Sequence, residues 1–503
     1  MRATFLMTAA TALVAAALAA ATASHRAAAQ DAAARDPSVL TYHGDTSRTG
    51  NFVVPALTAD KARAVHLDAT FDARVAGHLY AQPLYWRPRG SDTAMLVTAS
   101  EDDVVQAFDA RTGKELWRQS VGKPVAGASL PCGNIDPLGI TGTPVIDPSS
   151  ATVYFDAMVQ AAGGPRHRIF ALSLKDGSIV HGWPLDVADA LRAKGQTFDP
   201  PVQNERSALT LLGNTLYVAF SGHFGDCGLY HGWVVGVPLN DPGNVASFET
   251  KARGGGIWAP GGISVIGGDL FFATGNTFGA RTWSDGEAVW RVGPDLRRSD
   301  DKRNYFAPRD WRALDQSDED LGGSDPVPLD VPAASGSQAL MLALGKDGKA
   351  YLLDRNDLGG IGGQLVADAV SDRSIRTAPA VYPVGNDAFV AFQAPGAHCP
   401  GRDNGLTVLK IAAGSPPTMT TAWCGAVSGA GSAIVTTTDG RANPIVWMLG
   451  AEGDDRLHAF QGDTGAPLFT SGAMSGLRHF QTLIATPDRL YVGADDRVYA
   501  FDF

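Results

Sequence analysis

A phrase of about a dozen residues returns along this chain: a short strand of β-branched or aromatic residues ending in Ala-Phe-Asp or a close variant, then a turn, then a second apolar strand. It reads VVQAFDARTGKELW from Val104, RIFALSLKDGSIVHGW from Arg168, GWVVGVPLNDPGNVASF from Gly232, KAYLLDRNDLGG from Lys349, RLHAFQGDTGAPLF from Arg456 and RVYAFDF at the C-terminus. Weaker copies are EAVWRVGPD from Glu287 and LTVLKIAAGSPP from Leu406. A single Asp-x-x-Thr-Gly is an ordinary hairpin turn, in which Asp caps and Gly supplies a positive φ. Eight copies, anchored at Ala107, Ala171, Gly236, Trp290, Leu352, Val408, Ala459 and Ala500, carry a stronger message. Their steps of about 40 to 65 residues suit four-stranded sheets arranged radially. One such sheet cannot bury both faces alone, whereas each sheet of a ring packs on two neighbours. The expected fold is therefore all-β, an eight-bladed β-propeller of four-stranded antiparallel sheets closed by pairing of N- and C-terminal strands. The last copy ends in its own strand, so the segment around residues 40–90 is expected to complete that blade.

Length alone would allow several domains among the 503 residues. The repeats reduce this to one propeller domain over 41–503, after a signal peptide over 1–29 and a short linker over 30–40. The signal reading rests on Arg2, an alanine-rich apolar run from Phe5 to Ala23, and small residues ending at Ala29. It implies a periplasmic or secreted protein with no membrane span after cleavage. A net charge of −11 argues against nucleic acid as a partner, which requires clustered Lys and Arg.

Four cysteines, Cys132, Cys227, Cys399 and Cys424, are an even number suited to an oxidising compartment. Cys399 with Cys424 lies within one repeat and is the favoured pair; Cys132 with Cys227 would be a longer bridge. No C-x-x-C-H haem site, P-loop, H-E-x-x-H or G-x-S-x-G motif occurs. The acidic run DWRALDQSDEDLGGSD from Asp310 does not follow the calcium-loop pattern of an EF-hand.

The repeats AFDARTGKELW, AYLLDRNDLGG and AFQGDTGAPLF resemble those of the quinoprotein dehydrogenases, propellers that bind pyrroloquinoline quinone (PQQ). YHGDTSRTG (Tyr42 to Gly50), GHLYAQPLY (Gly77 to Tyr85), CGNIDPLGITGTPVID (Cys132 to Asp147) and LYHGWVVG (Leu229 to Gly236) resemble the short, haem-free, polyvinyl-alcohol-dehydrogenase-like exported members. The resemblance implies PQQ and calcium as cofactors and an alcohol, small or polymeric, as substrate. It also implies a separate electron acceptor such as a cytochrome c. Trp258, in G-G-I-W, matches the family's tryptophan floor, and a flat indole suits stacking on a planar ring. Asn276, in T-G-N, matches a calcium ligand, an amide oxygen being a hard donor. Lys346, in GKDGKAYLLDR, matches the basic residue that donates to the reactive quinone carbonyl, where a cation stabilises developing negative charge. Asp318 is the first candidate for the general base beside the metal, with Asp320 and Asp315 as alternatives. Asp226 lies near the position of a metal-binding glutamate, and His78 and Arg206 are expected along the same axis. Two features depart from the family: the adjacent cysteine pair over the cofactor is absent, since Cys132 precedes Gly133, and no arginine follows in NIDPLGITG. Some members of the superfamily bind no quinone and act as assembly scaffolds, which leaves a cofactor-free protein- or polymer-binding propeller in the cell envelope as the alternative function.

Overall fold

The computed structural model describes residues 36–334, 336–400 and 404–503. The signal-peptide reading lies outside them, apart from the linker residues 36–40. Eight sheets follow one another around a ring, and they are numbered here as blades in chain order: blade 1 spans 84–120, blade 2 145–186, blade 3 203–249, blade 4 264–307, blade 5 327–369, blade 6 380–425, blade 7 434–470 and blade 8 483–502. Within each blade four strands run antiparallel from the axis outwards. All eight repeat anchors fall on third strands, from Ala107 in Val104–Asp109 to Ala500 in Arg497–Asp502. The periodicity of the sequence is thus the periodicity of one strand per blade.

Alternation along these strands sends successive side chains to opposite faces. In blade 1, Ala107 packs with Val153, Phe155 and Leu172 of blade 2, while its neighbour Phe108 packs with Tyr491 and Ala500 of blade 8. Comparable clusters fill the other interfaces, such as Tyr154 and Ala171 against Leu216 and Trp233, or Leu352 against Val390 and Leu409. The turn signature also has a packing role. Trp117 of blade 1 donates from Nε1 to the Leu174 carbonyl (3.0 Å), and Trp423 of blade 6 to that of Gly462 (2.8 Å), so each indole lies on a turn of the next blade. A Cβ on Gly177 or Gly465 would sit 2.6 Å from the corresponding ring, and both glycines hold a positive φ.

Closure differs in one respect from the simplest expectation. Blade 8 takes its outer strand, His66–Leu67, from the N-terminal segment, paired antiparallel with Phe501 and Asp502. Its two inner strands, Leu483–Ala485 and Arg489–Ala494, come from the C-terminal part instead. Enough chain lies between blade 7 and Arg497 to supply them, so only the outer position is left for 66–67. The preceding Asn51–Val53 runs parallel to Ile434–Thr437 on the axial edge of blade 7.

Residues 39–50 cross the axis and satisfy inner strands all round it. Val39 pairs with Tyr85, and the carbonyls of Leu40, Thr46, Thr49 and Gly50 accept from the amides of Ile146, Val265, Val381 and Val435. Arg48, fully buried, donates to Thr41 Oγ1, the Tyr42 carbonyl, the Leu209 carbonyl (2.9 Å) and Thr210 Oγ1 (2.6 Å). Two disulfides form, Cys132–Cys227 and Cys399–Cys424. Among the described residues no helix is long and apolar enough to cross a membrane.

Replacing Arg48 by alanine should cost about 3 kcal/mol or more in urea unfolding, because four buried acceptors lose their donor at once. Lysine should not restore it, since one ammonium cannot reproduce the planar fork. Burial also pushes the Asp325 carboxyl up to about 7, against the opposing influence of Arg48. Between about pH 4 and pH 7 the native state then holds a proton that the unfolded chain has lost, so stability falls as pH rises through this window. Asp325→Asn should flatten that part of the stability–pH curve.

Candidate functional site

In an antiparallel blade, the turn between strands two and three and the link from strand four to the next blade emerge on the same face. The turns between strands three and four, which carry the repeat signature, emerge on the opposite one. Every candidate residue named from the sequence lies in the first set. Asp226, Asn276 and Lys346 follow the second strands of blades 3, 4 and 5. His78, Arg206, Trp258 and Asp318 lie in links leading to the first strands of blades 1, 3, 4 and 5.

A cavity of about 520 Å³ opens on this face, lined by Trp258, Arg206, Asp226, Asp318, Asp320 and Lys346 together with residues considered below. Beneath Trp258 is a second void of about 20 Å³, walled by Tyr42, Tyr80, Thr141 and Thr143. The indole therefore separates the open cavity from the segment that crosses the axis, and forms a floor. Two cations approach its ring: the Arg206 guanidinium at 5.8 Å and Lys346 Nζ at 5.4 Å from the centroid.

Backbone pairing joins the floor to the acidic centre. The Gly255 amide donates to the Asn276 carbonyl (2.5 Å), the Gly275 amide to the Gly256 carbonyl (3.0 Å), and Gly254 bridges Thr277. Gly275 has no alternative, because a Cβ there would lie 2.4 Å from Asp320 Oδ1 and 3.3 Å from Trp258 Nε1. Around this turn fold three carboxylates from the helix Trp311–Ser317 and the loop after it. Asp315 accepts from the amide and hydroxyl of Thr277 (both 2.7 Å), Asp320 from the Asn276 amide (2.6 Å), and Asp318 from Asn276 Nδ2 (2.7 Å). Lys346 Nζ lies 3.1 Å from Asp318 Oδ1 and also contacts Asp320 Oδ2.

The three aspartates differ in environment. Asp318 ends its helix in the left-handed region (φ 57°), and its side chain is 70% exposed. Asp320 is buried; burial pushes its carboxyl above the usual range, with Lys346 as the main opposing influence. Burial also raises Asp315, against its bonds to Thr277. Glu287, deeper still, is pushed up strongly by burial and then by Asp320; its Oε2 accepts from the Leu321 amide (2.6 Å) while Oε1 has no partner. Lys346 stays charged, because the two aspartates outweigh the effect of its burial.

The donor set fits a hard cation. Asn276 Oδ1 is buried without a hydrogen-bond partner, and beside it stand the carboxylates of Asp318 and Asp320. All three donors are oxygens, the ligand type that calcium takes. Two carboxylates against one lysine leave a net negative charge. Among the described residues no cluster of three or more His, Cys, Asp or Glu side chains is placed to hold a metal; the set here is two carboxylates and one amide oxygen.

Of two further expected residues, one lines the cavity and the other does not. Asp226, also at positive φ, lines the cavity and accepts from the Tyr230 hydroxyl (2.6 Å). His78 is outside the lining; its Nδ1 lies 3.0 Å from Asp495 Oδ2 and 2.6 Å from Arg478 Nη2, at the junction of blades 8 and 1. No adjacent cysteine pair occurs in the sequence. Cys132 is bonded to Cys227, which ties the segment bearing Asn134 to the loop bearing Phe224, Gly225 and Asp226, all at the cavity. Arg376, Glu452, His479 and Phe480 also line the cavity and were not singled out from the sequence. They sit outside the repeat phrase, and only the folding of blades 6 to 8 into the ring brings them opposite Trp258.

Comparisons with known proteins agree with this fold. A PQQ family model, described as outer membrane protein assembly factor BamB, matches residues 60–292. The chain is an eight-bladed β-propeller, and its N-terminal part is similar to that family. Among solved structures, this propeller superposes on the quinohemoprotein alcohol dehydrogenase of Comamonas testosteroni with a TM-score of 0.64 and 14% identity, over 93% of this chain and 80% of that one. A europium-containing methanol dehydrogenase gives a TM-score of 0.66 and 13% identity, over 93% and 99%. At such identities the likeness is one of fold. No curated protein matches the propeller in sequence.

The Lys346–Asp320 pair is testable without any ligand. Lys346→Ala should destabilise the protein by about 3 to 5 kcal/mol in urea unfolding by leaving a buried carboxylate uncompensated. Adding Asp320→Asn should recover much of that loss, a non-additivity that a double-mutant cycle measures.

Proposed function

We propose that this propeller is a periplasmic PQQ- and calcium-dependent dehydrogenase that oxidises an alcohol, small or polymeric, and passes electrons to a separate acceptor such as a cytochrome c. The observation that carries the reading is the convergence of Trp258, Asp318 and Lys346 on one cavity, from links and turns of different blades, with Asn276 bonded to Asp318 beside it. PQQ, when bound, supplies an electron sink that accepts hydride from the alcohol carbon. Trp258 offers a flat apolar floor for it, and Arg206 and Arg376 offer positive charge for its carboxylates. Asn276, Asp318 and Asp320 hold calcium through oxygen, with Asp226 as a further ligand from the neighbouring blade. Lys346 donates toward the quinone oxygen on which negative charge develops. Asp318, solvent-accessible and paired with Lys346, is the first candidate to take the hydroxyl proton.

A second reading is a cofactor-free propeller that binds a protein or polymer in the cell envelope. It is favoured by the assembly-factor description of the matching family model and by the missing cysteine pair.

Titration of the purified protein with PQQ, with and without calcium, separates the two. Calcium-dependent quenching of tryptophan fluorescence and alcohol-dependent reduction of an artificial electron acceptor are expected. Trp258→Ala and Asn276→Ala should each weaken PQQ binding at least about tenfold, the equivalent of about 1.4 kcal/mol. Absence of binding by the unaltered protein would leave the scaffold reading in possession.

A further inference from the structure

On the wall of the cavity formed by blades 7 and 8 stands a His–Glu pair. His479 Nδ1 lies 2.8 Å from Glu452 Oε1, and both residues line the cavity. Nδ1 is therefore the protonated nitrogen that donates to the carboxylate, which leaves the lone pair on Nε2. Nε2 makes no hydrogen bond within the described residues.

The pair is held rigidly. Phe480 and Glu452 both adopt positive φ (69° and 55°), a conformation costly for side chains of this size and kept only where the surroundings impose it. The Phe480 amide donates to the Ala430 carbonyl (2.7 Å), and the Ala430 amide to that of Ala451 (2.9 Å), which links the two turns through their backbones. The imidazole packs edge-on against Phe480 at 4.6 Å and Tyr80 at 5.5 Å between centroids. Phe480 in turn carries the Arg206 guanidinium at 5.4 Å, the same group that approaches Trp258.

We propose that His479, oriented by Glu452, is a second proton acceptor of this cavity, taking on Nε2 the hydroxyl proton of a bound alcohol. The proposal rests on the dehydrogenase reading for the identity of the substrate. In the step, the alcohol O–H proton passes to Nε2, the carbinol C–H bond breaks with its electron pair moving as hydride to the ortho-quinone, and a C=O bond forms. The alcohol is oxidised by two electrons and the quinone reduced by two, and the imidazolium later returns its proton to solvent.

Asp318 is the competing acceptor, but its Oδ1 already receives bonds from Asn276 and Lys346. The groups around the imidazole act differently. Burial lowers the His479 pKa below its ordinary value; Glu452 opposes this, and Arg206 and Arg376 add to it, with Tyr80 the remaining titratable neighbour. At neutral pH the ring is uncharged and able to accept.

The first test uses the protein without cofactor. In nitrogen-15 NMR of the histidine rings, His479 should show a neutral Nδ1–H tautomer and a pKa below about 6.5, and Glu452→Gln should lower it further. A ring protonated at Nε2, or a pKa that Glu452→Gln does not move, would overturn the proposal. The second test uses protein loaded with PQQ and calcium. His479→Gln should reduce kcat/KM by about 100-fold and abolish the acidic limb of its pH profile, with PQQ affinity retained. An unchanged limb in His479→Gln, with loss of the limb in Asp318→Asn, would assign the proton to Asp318 and overturn the proposal. Failure of the unaltered protein to bind PQQ would instead remove the dehydrogenase reading and, with it, the substrate on which the proposal rests.

Discussion

A four-stranded sheet leaves apolar side chains on both faces, and a ring is the arrangement in which every face finds a partner. Closure of that ring is the constraint on which the rest of this structure depends. It joins His66–Leu67 to the last strand of the chain, and it builds a continuous core from blade 7 through blade 8 to blade 1. The Tyr491 hydroxyl, donating to the Ala110 carbonyl (2.6 Å), crosses the same junction. The ring also leaves an axis that must be filled. Residues 39–50 fill it with backbone carbonyls aimed at inner strands, and the buried charge of Arg48 finds its acceptors there.

The site follows from this geometry. Links and turns on one face converge over the axis, so residues far apart in sequence share one cavity. Trp258 rests above the axial segment as a floor, and the acidic loop of 318–320 closes on the Gly275–Asn276 turn beside it. Among the cavity-lining residues, Asp226, Asp318, Glu452 and Phe480 hold a positive φ, a backbone conformation uncommon for residues other than glycine. Such strain persists only where surrounding structure over-determines it. The rigid ring provides that support.

Electrostatics divide the cavity. One side has Asp318 and Asp320 around Asn276, balanced in part by Lys346; another has Arg206 and Arg376, for which no carboxylate partner stands within salt-bridge distance among the described residues. A ligand bearing both a metal-binding oxygen and carboxylates would meet complementary charge at each end. The Cys132–Cys227 bridge holds the rim on the blade 2 and 3 side, where the cysteine ring of the resembling dehydrogenases is missing.

The sequence by itself determined the blade count, the third strand of every blade and the neighbourhood of Trp258, Asn276 and Lys346. These were legible because local chemistry carries them: alternation along a strand, a turn that requires glycine, a short motif on contiguous residues. The choice among Asp315, Asp318 and Asp320 was not legible, since the three differ in burial and partners rather than in type. His78 shows the same limit, being drawn to Asp495 and Arg478 by a junction that joins residues 400 apart. Only the tertiary structure placed His479, Glu452 and Arg376 in the cavity with Trp258, because their meeting is a consequence of ring closure. No local pattern records which links will face each other once the eighth blade meets the first.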